Sequence, residues 1–202
     1  MNASAPRWRR RAIPLLIGIV VLIPLALAAL LYVQPAWFTF GHSNHGRLIR
    51  PPVRINVTAL PQAFTASKLP ADYFRGHWTL VYVGGAHCGA DCREALYVTR
   101  QIRLGTGNDI RRVQRLYVVR AERGDATGFL RGAHPDLAVV EATGAAGRRL
   151  ATQFTDTDVN ADAGANIYIV DPRGLLMMSY PVKAKPLGLL QDLRHLLTAN
   201  PA

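Results

Sequence analysis

A chain of 202 residues, half of them apolar, can bury one core of ordinary size and has no room for two full domains. Its net charge of +11 is partly concentrated at the N-terminus (Arg7, Arg9, Arg10, Arg11) and otherwise dispersed, with no basic-aromatic motif, which argues against nucleic-acid binding. The 13 prolines and 17 glycines are scattered without an internal repeat or low-complexity tract, so the chain beyond its N-terminus reads as globular.

Ala12 to Val33, "AIPLLIGIVVLIPLALAALLYV", is 22 residues without a charge. At the helical rise that is about 33 Å, enough to cross the hydrocarbon core of a bilayer. The arginines before it form a positive, cytoplasmic flank, and Trp8, Trp37 and Phe38 stand near its ends, where amphipathic rings favour the interface. The pattern predicts a transmembrane helix with the rest of the chain outside the cytoplasm. Ala26-Leu27-Ala28 offers the small residues of a signal-peptide cleavage site, but the apolar run continues through Leu30, Leu31 and Val33, which favours a retained anchor. Either way the globular part lies where disulfides persist. The predicted organisation is a cytoplasmic basic N-terminus (1–11), a transmembrane helix (12–33), a linker (34–57) and one domain (58–202).

The linker, "GHSNHGRLIRPPVRINV", is polar, and its Pro51-Pro52 pair resists helix and leads into an extended segment. His42 and His45 read as solvated, and Arg47, Arg50 and Arg54 as a basic surface. Trp78 to Val83, "WTLVYV", is a continuous β-rich apolar run that suits a strand buried on both faces. Directly after it comes "GAHCGADC", which holds Cys88 and Cys92, the only cysteines in the chain. From Asp91 the period becomes helical, with Cys92, Ala95, Leu96, Thr99 and Ile102 on one stripe until Gly105. The cysteines thus mark a strand-to-helix turn.

Val113 to Val119 predicts a second strand, Asp125 a cap for a short helix to Arg131, Leu137 to Val140 a third strand, and Gly144 to Phe154 another helix. In "ANIYIVDPRGLLMMSYP", two β-like runs flank Asp171-Pro172-Arg173-Gly174, whose proline and glycine positions suit a type I turn and hence a hairpin. Leu187, Leu190, Leu193 and Leu197 form the stripe of a closing amphipathic helix.

Residues four apart on a helix are about 6 Å apart along its axis, so Cys88 and Cys92 can bond with modest adjustment of the turn. A bridge enclosing three residues adds little stability, which makes a redox or metal role more attractive than a passive staple. Helix-start dipoles and Arg93 favour a thiolate at Cys88, while Asp91 opposes it.

The order of elements, with a cysteine pair at the first strand-to-helix turn, is that of an α/β thioredoxin-like domain, a mixed sheet flanked by helices. "HWTLVYVGGAHCGADC", "YVVRAERGDATGFLRGAHPDLAVV" and "IYIVDPRG" resemble the strand and Cys-x-x-x-Cys turn, the second strand with its Asp-initiated helix, and the hairpin of the Sco/SenC family. The resemblance covers about residues 58–198. It implies assistance to cytochrome c oxidase assembly, with the membrane and the copper-containing oxidase subunit as partners, and copper held by Cys88, Cys92 and a histidine shortly before the hairpin. Ala163 stands in the place of that histidine, and "DTDVNADAGAN" contains none. Neither His87 (on the turn), His134 nor His195 matches the family ligand, and the carboxylate of Asp162 is a poor donor for soft Cu(I). The expectation is therefore thiol–disulfide exchange through Cys88 and Cys92, with two-thiolate Cu(I) binding or a non-catalytic scaffold as alternatives.

Overall fold

The computed structural model describes residues 18–26, 29–30, 44–57, 60–65, 67–85, 87–120, 127–155 and 164–200. The chain divides into two units, Met1–Ser43 and Asn44–Ala202. In the first, residues 18–26 and 29–30 are helical and Val20, Val21, Leu22, Ile23 and Leu25 are exposed. Among the described residues no helix is long and apolar enough to cross a membrane; half of the predicted 12–33 span lies outside them.

The second unit is built on one six-stranded sheet with spatial order β1-β6-β5-β2-β3-β4. The strands are β1 (Arg47–Arg54), β2 (Trp78–Gly84), β3 (Val113–Val119), β4 (Leu137–Glu141), β5 (Asn166–Val170) and β6 (Leu175–Pro181). The helices are α1 (Ala90–Gly105), α2 (Thr127–Ala133), α3 (Gly144–Thr155) and α4 (Pro186–Ala199), with a 3-10 helix at Gly107–Arg112. β2, β3 and β4 run parallel, whereas β5 is antiparallel to β2, β6 to β5 and β1 to β6.

Every residue of β2 is buried, as its unbroken apolar run requires of a strand covered on both faces. On one face Leu80, Tyr82, Tyr117 and Ile169 pack with Leu96 and Ile102 of α1, Leu130 of α2 and Leu189, Leu193 and Leu197 of α4. On the other Val81, Val83, Leu116, Val118 and Val170 pack with Leu150 and Phe154 of α3 and with Leu60, Leu69 and Phe74 from the segment before β2. The alternation along β2 and β3 thus feeds two apolar layers, the period-2 logic of a strand applied twice.

The hairpin turn is where the sequence places it. Gly174 N donates to Asp171 O (2.9 Å), and Asp171 Oδ1 accepts from Arg173 N (2.9 Å) and Leu175 N (2.7 Å). Gly174 has φ +80°, a left-handed conformation that glycine adopts without a Cβ penalty, and the β5–β6 register slips at Ile169/Val170 as such a turn demands.

The stretch read as linker, residues 34–57, holds β1. Pro51 and Pro52 sit in an edge strand, where a missing N–H breaks no ladder bond on the inner side, and the register with β6 shifts between Leu48 and Val53. The proline pair forbids helix but not an edge strand, which is why the pattern did not reveal it. His45, read as solvated, is instead tied to the last helix. The buried Asp192 carboxylate accepts from His45 N (2.7 Å), Gly46 N (3.1 Å), Tyr180 Oη (2.6 Å) and His45 Nδ1 (3.0 Å).

Burial alone pushes the Asp192 carboxyl up, but the hydrogen bonds from Tyr180, His45 and Gly46 outweigh it and hold the group below its ordinary 3.8. A carboxyl depressed in the folded state stabilises fully above its unfolded value and loses that contribution as pH falls through the folded value. Asp192→Asn is therefore expected to cost about 1.5–3 kcal/mol at neutral pH, the range for hydrogen bonds to a charged group. It should also flatten the fall in stability below pH 4, measured as urea midpoints against pH. A wild-type curve no steeper than that of the variant in this acid range would refute the assignment.

Candidate thiol site at the strand-to-helix turn

β2 ends at Gly84, and a short turn brings the chain to the start of α1, so Cys88 lies just before the helix and Cys92 in its first turn. The two are joined in a disulfide with Cα atoms 5.0 Å apart. Both are buried, Cys88 at 8% and Cys92 at 5% exposure, and both belong to the apolar layer under α1. Around them the turn is polar. Gly89 N donates to His87 O (3.1 Å), Arg93 N to Gly89 O (3.0 Å), and Arg93 Nε to Cys88 O (3.2 Å). The Asp91–Lys183 pair, at 3.9 Å with both side chains exposed, adds little.

Beneath Cys92 lies Tyr117 of β3, a residue whose role the sequence analysis missed. Its hydroxyl is 3.6 Å from Cys92 Sγ and donates to Gly85 O at 2.7 Å. A disulfide sulfur carries no proton, so the sulfur–phenol contact here is one of proximity. The ring packs on that of Tyr82 (centroids 5.4 Å, planes tilted by 33°), and Tyr82 Oη donates to the carbonyl of Gly164 (3.3 Å), the residue after Ala163 in the chain. Gly84 makes this packing possible: a Cβ there would stand 2.9 Å from Tyr82 Cε1 and 3.2 Å from Tyr117 Oη. Burial pushes the Tyr117 phenol well above its usual range and that of Tyr82 up to about 12, the latter also raised by Asp91 and eased by Arg120, so both are neutral donors at any physiological pH. A "LYVV" run reads as core by pattern, and only the parallel Tyr82–Tyr117 register places the hydroxyl at the sulfur.

Of the other residues singled out, His87 is exposed on the turn, where its carbonyl accepts from Gly89 N. His45 is committed to Asp192, His134 lies buried between α2 and β4, and His195 is exposed on α4. Asp125, Asp162, Ala163 and His42 lie outside the described residues. Among the described residues no three His, Cys, Asp or Glu side chains come together in a way that would hold a metal ion. The chemistry the site offers by itself is that of two sulfurs at a helix start, where peptide dipoles favour negative charge on Cys88.

Residues 78–200 match the family described as transmembrane-like, thioredoxin-like, C-terminal domain. The chain belongs to this family. In this thioredoxin-like domain the match begins at the first residue of β2 and runs to the end of α4, and so takes in the whole site. No curated protein matches the chain in sequence. Among solved structures it is similar to Arabidopsis thaliana ScoI with copper bound (15% identity, TM-score 0.57, covering 75% of this chain and 99% of that one). It is also similar to yeast Sco1 with copper bound (15%, 0.54, 79% and 96%) and to a thiol:disulfide interchange protein from Bacteroides sp. (11%, 0.50, 78% and 93%). At these identities the likeness shows the fold: a mixed α/β thioredoxin-like domain with Sco proteins among its structural neighbours, as the Cys-x-x-x-Cys resemblance led us to expect.

Proposed function

We propose that the protein is a membrane-anchored, Sco-type thiol–disulfide exchanger that assists assembly of a copper-containing respiratory oxidase, with its domain outside the cytoplasm. The observation that carries the exchange reading is the Cys88–Cys92 disulfide at the start of α1, against the carboxyl end of the central strand. Cys88, outside the helix and at its positive end, is the attacking thiolate; Cys92, one turn in and against Tyr117, is the resolving one. The charge-free run and its arginine flank support the anchor, and the Sco neighbours support the oxidase partner, whose copper-subunit cysteines must be reduced before metal enters. In a glutathione titration with thiol labelling, both cysteines are expected to pass reversibly between bonded and labelled forms. Thiols that stay labelled at every redox poise would end this reading.

A second reading, Cu(I) carriage, is favoured by the placement of two soft donors on one turn and by the copper-bound neighbours. Copper here is cargo. Reduced to thiolates, Cys88 and Cys92 suit two-coordinate Cu(I), whereas Cu(II) lacks the imidazole that its higher coordination prefers. The Tyr82–Gly164 bond ties Gly164, which follows Ala163 in the chain, to the ring pair beneath Cys92. Ala163→His is therefore expected to raise Cu(II) retention by about tenfold or more and to strengthen the thiolate-to-copper absorption band, with little change in Cu(I) binding. Tight Cu(II) binding by the unmodified protein, abolished by His87→Ala or Asp162→Ala, would promote copper carriage over exchange.

A further inference from the structure

The mechanism above leaves a buried hydroxyl unexplained. Tyr117 is 1% exposed and locked against Tyr82, with the one polar side-chain atom among the described residues that lies within hydrogen-bonding reach of either sulfur. Its single proton is given to Gly85 O, the carbonyl of an exposed residue at the entrance to the cysteine turn. The phenol therefore faces two acceptors, of which only one competes for its proton in the oxidised state, because a disulfide sulfur is a weak acceptor and a thiolate a strong one.

We infer that Tyr117 is the positioning residue of Cys92, turning its proton from Gly85 O to the Cys92 sulfur when the disulfide opens and returning it when the disulfide forms. The inference rests on the exchange reading for its role in turnover. In that cycle the Cys88 thiolate attacks a partner disulfide, forming one mixed S–S bond and releasing one partner thiolate. The Cys92 thiolate then attacks the Cys88 sulfur, the Cys88–Cys92 bond forms, and the electron pair of the broken mixed bond leaves on the second partner sulfur. Two electrons pass from the Cys88/Cys92 dithiol to the partner, and Tyr117 neither gains nor loses a proton. Between the two steps Cys92 is a thiolate buried in an apolar layer, which is costly without a donor; Tyr117 supplies that donor. The freed Gly85 carbonyl turns to water, since the residue is exposed. The Cys92 thiolate is thereby favoured, and the turn before Cys88 loosens only in the reduced protein.

The test uses the full-length protein in detergent micelles. In Cys88→Ala, Cys92 is the sole cysteine, and the pH titration of its ¹³Cβ resonance reads thiolate formation directly, with no need for exchange to occur. Adding Tyr117→Phe is expected to move the titration midpoint upward by about one pH unit, whereas adding Tyr82→Phe, which removes the neighbouring hydroxyl but not the one at the sulfur, should leave it in place. In the protein with both cysteines, Tyr117→Phe should shift the glutathione equilibrium severalfold toward the disulfide. A midpoint unmoved by Tyr117→Phe, or moved equally by Tyr82→Phe, overturns the inference and leaves Tyr117 a packing residue. Should Tyr117→Phe fail to fold, global 3-fluorotyrosine substitution keeps the shape and strengthens the donor; the midpoint is then expected to fall, and an unchanged value overturns the inference. Absence of glutathione exchange would defeat the exchange reading while the Cys92 titration still decides the role of Tyr117.

Discussion

Asp136→Ala is expected to cost the domain about 3–5 kcal/mol, the range for stripping the partner from a buried charge. Arg115 of β3 is fully buried beneath α1, and its guanidinium Nη1 reaches Asp136 Oδ1 (3.2 Å) and Oδ2 (3.3 Å). The remaining N–H groups go to Leu96 O (2.6 Å) and Thr99 Oγ1 (3.2 and 3.1 Å). Burial pulls the guanidinium below its ordinary value, and Asp136 is the group that counters this. Without the carboxylate the cation keeps neutral acceptors and no counter-charge. Arg115→Met should be far milder, because a similar apolar volume replaces the ion under an already apolar helix and Asp136 retains Arg103 at 3.5 Å. Urea unfolding of the two variants side by side checks this. A cost below about 1 kcal/mol for Asp136→Ala would mean that the pair is not what keeps Arg115 inside.

Cys92→Ser should leave the domain folded yet reduce catalytic turnover of a disulfide substrate by at least about a hundredfold, since an intramolecular resolving step is replaced by attack from bulk thiol. Cys88 then stays attached to its partner, and covalent adducts accumulate on non-reducing gels; Cys88→Ser gives none. The fold survives because the bridge closes so short a loop that it constrains little of the unfolded chain, while the core on both sheet faces is untouched. Equal adduct yields from the two variants would mean that the cysteines have no division of labour.

Where the sequence carried a strong period or a turn signal, the element could be read from it. The unbroken run of β2, the leucine stripe of α4 and the Asp171–Gly174 turn each obey one local rule, and local rules need no partner. What could not be read is what depends on register. Pro51 and Pro52 look like a linker until β6 is known to lie beside them. Arg115 occupies a position of β3 whose pattern asks for an apolar side chain, and its solution, an acid from the α2–β4 turn, lies 21 residues away. The cysteine pair was evident from spacing alone, whereas Tyr117 needed two strands aligned residue by residue. His45 and Asp192, 147 positions apart, are the extreme case.

That last pairing decides where the chain can be cut. A soluble fragment begun at residue 58 would discard β1 together with three of the four donors that satisfy Asp192, leaving a buried carboxylate held by Tyr180 alone. It would also turn β6 into a bare sheet edge along Leu176 and Met178, the kind of template on which chains stack into aggregates. Begun at Asn44, the fragment keeps the clasp between its first residues and its last helix. For anyone purifying this domain without its N-terminal segment, those fourteen residues decide whether Asp192 keeps its donors and β6 its cover.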